Sequence, residues 1–483
     1  MEAEDAKRLS EAKRAALTAP AGCGKTHLIA TAVAKYARGR ELILTHTHAG
    51  VDALRRKLRD VGASCSAYHV DTIAGFALRY AAAFPVTSCL ATPRPTGNEW
   101  NGVYSAAARL FRNSPVRDIV QMSYSGLYVD EYQDCILEQH DLVLALAETL
   151  PCRILGDPLQ GIFDFGKNKI VDWANHIEGS FDSLPALREP WRWANTNPEL
   201  GSWFQGVRDC LMNSSPVDLR GTPVCHVRKS GRAQAMIQAQ TNLCFQATRD
   251  GGSVVAIHQW PAQCHKVAQR LKGLYQCIEP IDCRELIEAS EAIFSASGPA
   301  RAAAVIDFAK LCLTTVGTDL SSAYAAFGQG RLPTVSRRTK HVSVVQALTE
   351  VAQDASLGPV VAAIKAMRKI PKAVLYRGDL YREMLRALGE FQTGAYENLR
   401  EAAWATRNRT SHAGRRLSPC TVGRTVLVKG LEFDHAVLLD TTGMTAKNLY
   451  VALTRGARTL TMVSPDLVLP AINMKAAGRK RST

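Results

Sequence analysis

The first 45 residues alternate between short apolar runs and one helical pattern. Residues 15–18 form an apolar run that a glycine-rich loop follows, and residues 41–45 form the next apolar run. Between the loop and the second run, apolar side chains recur at the spacing of one helical face, at Leu28, Ile29, Val33 and Tyr36. A strand–helix–strand unit joins parallel strands, so this segment predicts a parallel sheet.

Further short runs of β-branched residues and leucine predict buried strands along the rest of the chain. They lie at residues 126–129, 153–155, 253–257, 436–439 and 459–463. Because the runs fall into one group before residue 195 and another after residue 250, we predict an α/β fold with two lobes, each built on a parallel sheet.

The segments between the runs predict small, mainly helical insertions. Residues 85–120 are rich in proline and indicate an inserted loop or small subdomain, whereas residues 275–410 have a mostly helical pattern. We assign the domains as a first lobe at 1–195 with a reduced insertion at about 80–122, a second lobe at 196–274 and 411–470, a helical insertion at 275–410, and a basic tail at 471–483.

Composition and charge narrow the class of protein. The formal net charge of +15 favours a polyanionic partner, because each cation docked on a phosphate releases a counterion. The 13 cysteines include no C-x-x-C pair, so we expect reduced thiols, no metal cluster and a cytoplasmic location. The acidic start lacks the features of a signal peptide, and no apolar run is long enough to span a membrane.

The glycine-rich loop has the form of a phosphate-binding loop. It reads Ala19-Pro20-Ala21-Gly22-Cys23-Gly24-Lys25-Thr26 and lies between the first strand and the first predicted helix. Backbone N–H groups in such a loop surround the phosphates of a nucleotide such as ATP, and the helix N-terminus adds positive partial charge. We expect Lys25 to reach the β- and γ-phosphates and Thr26 to bind Mg²⁺.

Acidic residues follow the strand at 126–129. Asp130, at the carboxyl end of this strand, is placed to hold Mg²⁺, and Glu131 is the natural general base for the attacking water. After the strand at 153–155, Gln160 is a candidate sensor of the γ-phosphate. Asp157 is either a turn former or a ligand of water.

Taken in order, these motifs resemble those of the UvrD/Rep-type helicases of superfamily 1A. The similar segments are residues 19–26, DEYQD at 130–134, GDPLQGIFDFG at 156–166, LREPWR at 187–192, KGLEFD at 429–434 and YVALTR at 450–455. This resemblance implies two RecA-like P-loop lobes and an ATP-dependent DNA translocase or helicase that moves 3′ to 5′.

The resemblance also implies roles for particular residues. Arg192 and Arg455 would be arginine fingers from opposite sides of the nucleotide, Trp191 would stack on the base, and Glu432 would contact the ribose or the DNA side. Four residues are the candidate DNA contacts: Thr45, His46, Thr72 and Phe165, the last as a base-stacking side chain.

Departures from the family pattern leave a second function open. The residues after the second strand read Thr-His-Thr-His-Ala-Gly at 45–50, no glutamine lies in 9–13, and the first insertion is short. The chain therefore also resembles the helicase-like subunit of Gabija antiphage systems, which works beside an OLD-family nuclease. The alternatives are a DNA helicase in repair or antiphage defence, and an NTP-hydrolysing, DNA-sensing regulatory subunit of a nuclease complex that unwinds little.

Overall fold

The computed structural model describes residues 2–93, 95, 97–112, 114–162, 169–280, 283–412 and 417–469. The chain forms two compact units. Among the described residues, the first contains those up to Val224, those of Gly443–Thr459 and those at 466–469; the second contains those of Cys225–Thr442 and Leu460–Pro465.

The strands define two main sheets and one small ribbon. In chain order the strands are β1 Arg14–Thr18, β2 Glu41–Thr45, β3 Tyr68–Thr72, β4 Gly126–Val129, β5 Cys152–Gly156, β6 Asp182–Leu184, β7 Val217–Asp218, β8 Cys225–Arg228, β9 Val254–Ile257, β10 Gln276–Cys277, β11 Cys420–Gly423, β12 Phe433–Leu438, β13 Gly456–Ser464 and β14 Val468–Leu469.

The helices surround these sheets and fill the segments between them. In chain order the helices are α1 Glu2–Glu11, α2 Lys25–Tyr36, α3 His48–Asp60, α4 Ile73–Ala83, α5 Pro85–Ser88, α6 Glu99–Arg112, α7 Ser114–Ser123, α8 Leu137–Ala147, α9 Trp191–Ala194, α10 Pro198–Met212, α11 Ala233–Arg249, α12 Pro261–Arg270, α13 Arg284–Ser295, α14 Gly298–Cys312, α15 Val316–Asp319, α16 Ser321–Gly328, α17 Val342–Gln353, α18 Gly358–Arg368, α19 Gly378–Gln392, α20 Leu399–His412, α21 Thr425–Val428 and α22 Ala446–Leu453.

The first unit is built on a parallel sheet with the strand order β3-β2-β4-β5-β1-β6. Alternate side chains of its strands enter different cores. Leu42 and Leu44 of β2 pack in one buried cluster with helices such as α4 and α6, whereas Ile43 packs in another with α2 and α3. Because both faces are covered by helices, the central strands β2, β4 and β5 are buried along their whole length, as expected for a parallel sheet.

The second unit contains a sheet with the order β10-β11-β9-β12-β13-β8. The pairs β10–β11, β11–β9, β9–β12 and β8–β13 are parallel. Helices α13–α20 follow β10 in the chain and form a separate apolar core at residues 283–403, with Phe308, Leu348 and Ile364 fully buried. The stability of these helices therefore depends mainly on packing against each other.

These observations confirm the predicted α/β class with two parallel sheets. Each apolar run predicted to be a strand coincides with β1, β2, β4, β5, β9, β12 or β13, and the first predicted helix is α2. The proline-rich residues 85–120 contain α5, α6 and most of α7. Helix α6 packs on α4 and α8, so the central part of this insertion is a helical layer. In the part of the chain that the structure describes, no helix is long and apolar enough to cross a membrane.

All thirteen cysteines are present as thiols. Cys65, Cys89 and Cys225 are exposed, Cys210 is half-buried, and the other nine are buried.

Candidate nucleotide-binding site

The candidate site lies at the carboxyl ends of β1, β4 and β5 in the first unit. Strand β5 lies between β1, which leads into the phosphate-binding loop, and β4, which leads into Asp130. Ala19 N–H donates a hydrogen bond to Gly156 O over 3.0 Å, which ties the start of the loop to the end of β5. The parallel sheet thus brings three loops that are distant in sequence to one edge.

Two glycines give the loop its path. Gly22 and Gly24 have φ values of 73° and 82°, in the left-handed region that favours glycine. A Cβ at Gly22 would lie 2.6 Å from Cζ3 of Trp193 and 2.9 Å from Cβ of Arg192. The loop therefore needs glycine at Gly22 both for its backbone angle and for its close approach to α9.

Lys25 and Thr26 begin α2 directly after the loop. The Lys25 ammonium group is buried and donates to Ala19 O over 3.0 Å, across the loop that it closes. The Thr26 hydroxyl donates to Oδ2 of Asp130 over 3.1 Å. A hydroxyl and a carboxylate oxygen side by side are the donors that Mg²⁺ prefers, so Thr26 and Asp130 fit the ion predicted for them.

Burial makes the ionised form of the Asp130 carboxyl group energetically unfavourable. Burial, together with the neighbouring charge of Glu131, raises the pKa of the Asp130 carboxyl from 3.8 to about 6, against the opposing effects of Lys25 and the Thr26 hydroxyl. A buried carboxylate that is short of positive charge is suited to binding a divalent cation, which would return its pKa toward the ordinary range.

Glu131 is held in an unusual backbone conformation. Its φ of 57° and ψ of 39° lie in the left-handed region, just before the 3₁₀ turn Tyr132–Asp134. The Gln133 amide donates to Oε2 of Glu131, and Oε1 of Gln133 accepts from Asp157 N–H over 2.9 Å. Gln133 is 2% exposed and so connects the candidate general base to the turn after β5.

The Asp157 side chain caps the turn after β5, which is one of the two roles that the sequence left open for it. It is fully buried, and its carboxylate accepts from Leu159 N–H over 3.2 Å and from the Gln160 amide over 3.1 Å. Arg208 of α10 lies 3.3 Å from the same carboxylate. Gln160 is therefore oriented by an acid that also pairs with a half-buried arginine.

Helix α22 and the strand after it contact the phosphate-binding loop and α9 within the first unit. The Tyr450 hydroxyl accepts from Ala21 N–H over 3.2 Å. Arg192 donates from Nη1 to Thr454 O over 2.7 Å, and Trp193 donates from Nε1 to Gly456 O over 2.8 Å. The end of α22 is thus linked to the residues that the sequence predicted to face the nucleotide.

Arg455, the second predicted finger, also belongs to the first unit. It is 1% exposed, and its guanidinium donates from Nε to Val451 O over 2.7 Å and from Nη2 to the Thr454 hydroxyl over 2.9 Å. Both arginines assigned as fingers therefore belong to the unit that holds the phosphate-binding loop.

A pocket of about 290 Å³ opens beside Gly24. The half-exposed indole of Trp191 lines it, as do Asp5 of α1 and His27 of α2. The remaining lining comes from Cys23, Gly24, Leu28, Thr31 and residues 185–189. Trp191 is thus placed where a base attached to a phosphate in the loop could stack on it, and Asp5 supplies a polar group that the sequence did not single out.

The remaining predicted residues are placed less centrally. Thr45 is buried at the end of β2, and the buried Thr72 caps α4 by accepting from Gly75 N–H over 2.9 Å. His46 Nε2 lies 3.5 Å from Sγ of Cys135. Glu432 is exposed in the second unit, between α21 and β12. Phe165 lies outside the described residues, so its role as a stacking residue stays a prediction.

Several residues of the site were not selected from the sequence: Asp5, Gln133, Arg208 and Tyr450. Gln133 and Tyr450 carried one signal each, since they lie within the acidic motif and the YVALTR segment. Arg208 carried none, because it pairs with Asp157, 51 positions away, and only the fold brings the two residues together.

Comparison with models of known protein families finds a match within the first unit. Residues 3–166 match the family model of the AAA domain, which contains the phosphate-binding loop, the acidic strand end and Gln160. No curated protein matches the chain.

Several solved helicase structures align with the chain at low identity. The Pif1 helicase from Candida albicans is 13% identical over 50% of this chain and 53% of that chain, with a TM-score of 0.28. The arterivirus nonstructural protein 10 helicase with DNA is 11% identical over 96% and 63%, at 0.35. Pif1 from Bacteroides sp. with ADP-AlF4 is 12% identical over 56% and 56%, at 0.31. The chain thus spans between half and two thirds of the length of these structures.

Proposed function

We propose that the chain is an ATP-driven translocase on nucleic acid that acts as a DNA helicase. The observation that carries this proposal is the connected site of the first unit, in which Thr26 contacts Asp130 and Gln133 links Glu131 to the turn that holds Gln160. The first contact would serve any hydrolysis of a nucleotide. The second connects the candidate general base to the candidate sensor, which fits an enzyme that couples hydrolysis to movement.

The residues divide the work of hydrolysis between them. The loop N–H groups and Lys25 would bind the β- and γ-phosphates, while Thr26 and Asp130 would hold Mg²⁺, which supplies charge neutralisation when it is bound. Glu131, oriented by Gln133, would accept the proton of the attacking water. Arg192 would stabilise the charge that develops on the transferred phosphoryl group.

The nucleic-acid part of the proposal rests on charge and on the motif order. A net charge of +15 favours a polyanion, and the order of the motifs resembles that of the UvrD/Rep-type helicases. That resemblance is also the basis for proposing 3′ to 5′ movement, and for a role in DNA repair or antiphage defence.

ATP turnover with and without single-stranded DNA, at two salt concentrations, tests this function. We expect stimulation by DNA that weakens as salt rises, because the contacts are with phosphates. The Lys25→Ala variant should lose turnover under every condition. Turnover that DNA never stimulates, or that survives in Lys25→Ala, would refute the proposed motor.

The short first insertion favours a second candidate function, a DNA-sensing regulatory subunit of an OLD-family nuclease. The stretch between α4 and β4 holds only α5, α6 and α7 among its described residues, which leaves little structure for separating strands. A strand-displacement assay beside the ATPase assay separates the two functions. Displacement supports the helicase, and DNA-stimulated hydrolysis without displacement supports the regulatory subunit.

A further inference from the structure

The pocket beside Gly24 is small and adjoins the phosphate-binding loop. Its volume of about 290 Å³ is at the lower end for small-molecule sites, so it has room for the base of a nucleotide but not for the whole molecule. A Cβ at Gly24 would lie 3.4 Å from Cδ1 of Trp191, so the indole ring is next to the loop. A nucleotide with its phosphates in the loop would therefore place its base in this pocket.

Helix α1, which forms part of the pocket wall, is fixed within the first unit. The side chains of Ala6 and Leu9 are fully buried in the core that includes α2. The Tyr36 hydroxyl, at the end of α2, donates to Ala3 O over 3.0 Å. Asp5 lies between these anchored residues and lines the pocket, so its carboxylate is held at a defined place beside the base.

Charged side chains from two parts of the chain line the pocket. Asp5 comes from α1, and Arg188 and Glu189 come from the segment between β6 and α9. The Asp5 carboxylate lies 3.7 Å from the Arg8 guanidinium, which is longer than a hydrogen bond, so it keeps its capacity to accept from a ligand. The pocket thus offers carboxylates, which only accept hydrogen bonds, and a guanidinium, which only donates them.

This combination of groups matches the polar edges of guanine. Guanine has two neighbouring donors, N1–H and the N2 amino group, and one carboxylate can accept from both at the same time. Beside them, O6 and N7 of guanine are both acceptors, and arginine is their commonest specific partner in proteins that read DNA. A carboxylate of the pocket can therefore bind the donors of guanine, and Arg188 can bind its acceptors.

Adenine presents a different pattern to the same groups. Its N6 amino group is a donor at the position of guanine O6, so it would face the donors of Arg188. Its N1 atom is an acceptor, so it would place a lone pair against a carboxylate, which has no hydrogen to donate. A site built to hydrogen-bond one ligand discriminates against an analogue that leaves its polar groups unpaired.

We propose that the base pocket of the first unit selects guanine over adenine, so that GTP is the preferred nucleotide of the site. This inference rests on the nucleotide hydrolysis proposed above and specifies its substrate. ATP remains a substrate, because both nucleotides place the same triphosphate in the loop. The preference comes from the base alone, through Asp5 and Arg188.

Competition between nucleoside diphosphates tests the preference without any turnover. A fluorescent GDP bound to the full chain with Mg²⁺ is displaced by GDP, by IDP, which lacks the 2-amino group, or by ADP. We expect GDP to bind roughly 30-fold more tightly than ADP, as one good bidentate contact provides, with IDP between the two. Equal affinities of the three diphosphates would overturn the inference.

Two variants of α1 separate recognition of the base from a general effect of charge. Asp5→Ala should lower the ratio of GDP affinity to ADP affinity to about threefold or less. The control Glu4→Ala removes the neighbouring acid, which is 76% exposed and lies 3.4 Å from the guanidinium of Arg8. Glu4 is not among the described residues that line the pocket, so the ratio should stay within about twofold of the wild type. Equal changes in the two variants would refute the role of Asp5.

Arg188→Ala tests the other edge of the base. It should weaken GDP and IDP alike, roughly fivefold, because both carry O6 and N7, and it should not weaken ADP. Arg188→Lys keeps a donor and should restore part of the affinity for GDP, and circular dichroism shows whether each variant is folded. A loss of affinity that is the same for GDP and ADP would contradict recognition of the base by Arg188.

Failure of this inference can be told apart from failure of the proposed function. If the chain hydrolysed no nucleotide, the motor would be refuted, and the order of the diphosphate affinities would still test the pocket. If DNA stimulated the turnover of ATP and GTP with equal kcat/KM and the diphosphates bound equally, the motor would stand and the preference for guanine would be refuted.

Discussion

Replacing Asp130 with asparagine measures the free-energy cost of burying the ionised Asp130 carboxyl group in the first unit. The carboxylate accepts from Thr26 and from Glu131 N–H, and asparagine has nearly the same shape, so it can keep the bond from Glu131 N–H. The Asp130→Asn variant should abolish ATP turnover, because the predicted Mg²⁺ ligand is lost. We also expect it to unfold at higher denaturant concentration than the wild type.

The magnitude follows from the raised pKa. Between pH 3.8 and about 6 the folded protein keeps a proton on Asp130 that the unfolded chain has released, so wild-type stability falls as pH rises through this window. A difference of about two pKa units corresponds to about 3 kcal/mol above pH 6. Asparagine escapes this cost, so the variant should be more stable by up to about 3 kcal/mol at pH 7. The gain should disappear near pH 4.

Tryptophan fluorescence during urea unfolding, with EDTA and without nucleotide, measures this effect. Five of the seven tryptophans lie in the first unit, so the signal reports mainly on that unit. A gain of about 3 kcal/mol moves the urea midpoint by about 1 M. The control Asp141→Asn removes an exposed partner of Arg112 and should cost at most about 1 kcal/mol. A loss of stability in Asp130→Asn that is equal at pH 4 and pH 7 would refute the reasoning.

Three further predictions concern the remaining contacts of the site. Gln133→Ala removes the hydrogen bond that the Gln133 amide donates to the carboxylate of Glu131, so it should lower kcat for ATP roughly 10- to 100-fold with KM within about twofold. Steady-state kinetics measures both constants, and a change confined to KM would contradict the positioning role. Tyr450→Phe removes the hydroxyl that accepts from Ala21 N–H, so a nucleotide phosphate no longer competes with that hydroxyl for this donor. A fluorescent-nucleotide titration should show about fivefold tighter binding, and unchanged binding would count against competition. Asp5→Asn places an amide in the pocket beside Gly24, and an amide can both donate to and accept from the edge of an adenine. The variant should therefore raise kcat/KM for ATP relative to GTP about tenfold, and an unchanged ratio would show that the nucleotide base binds elsewhere.

The parallel sheets were predictable because their central strands are apolar on both faces. Residues 126–129 (GLYV) and 254–257 (VVAI) allow few other interpretations once turn residues flank them. Strand β3 was not predicted. Its sequence, YHVDT, buries only Val70 and Thr72 fully, since it lies at the edge of its sheet. An edge strand carries half the hydrophobic pattern and is hard to distinguish from a loop.

The residues of the candidate site likewise fall into those that the sequence predicts and those that it does not. Lys25, Thr26 and Asp130 were predicted because their geometry follows from local rules for the ends of parallel strands. The link from Gln133 to Asp157 and Arg208 joins residues 24 and 51 positions apart, and no periodicity records such a pairing. Arg208 lies in the amphipathic helix α10, and the sequence of this helix does not indicate that one of its charged residues pairs with the buried Asp157.

The distribution of thiols gives each unit its own chemical handle. Cys65 and Cys89 are exposed in the first unit and Cys225 in the second, while nine others are shielded from solvent. Thiol reagents select accessible thiolates, so Cys65→Ser would leave Cys89 and Cys225 as the fastest sites for a pair of fluorophores. With this single substitution, fluorescence energy transfer between labels on Cys89 and Cys225 could therefore follow nucleotide-dependent movement. No new cysteine would have to be introduced.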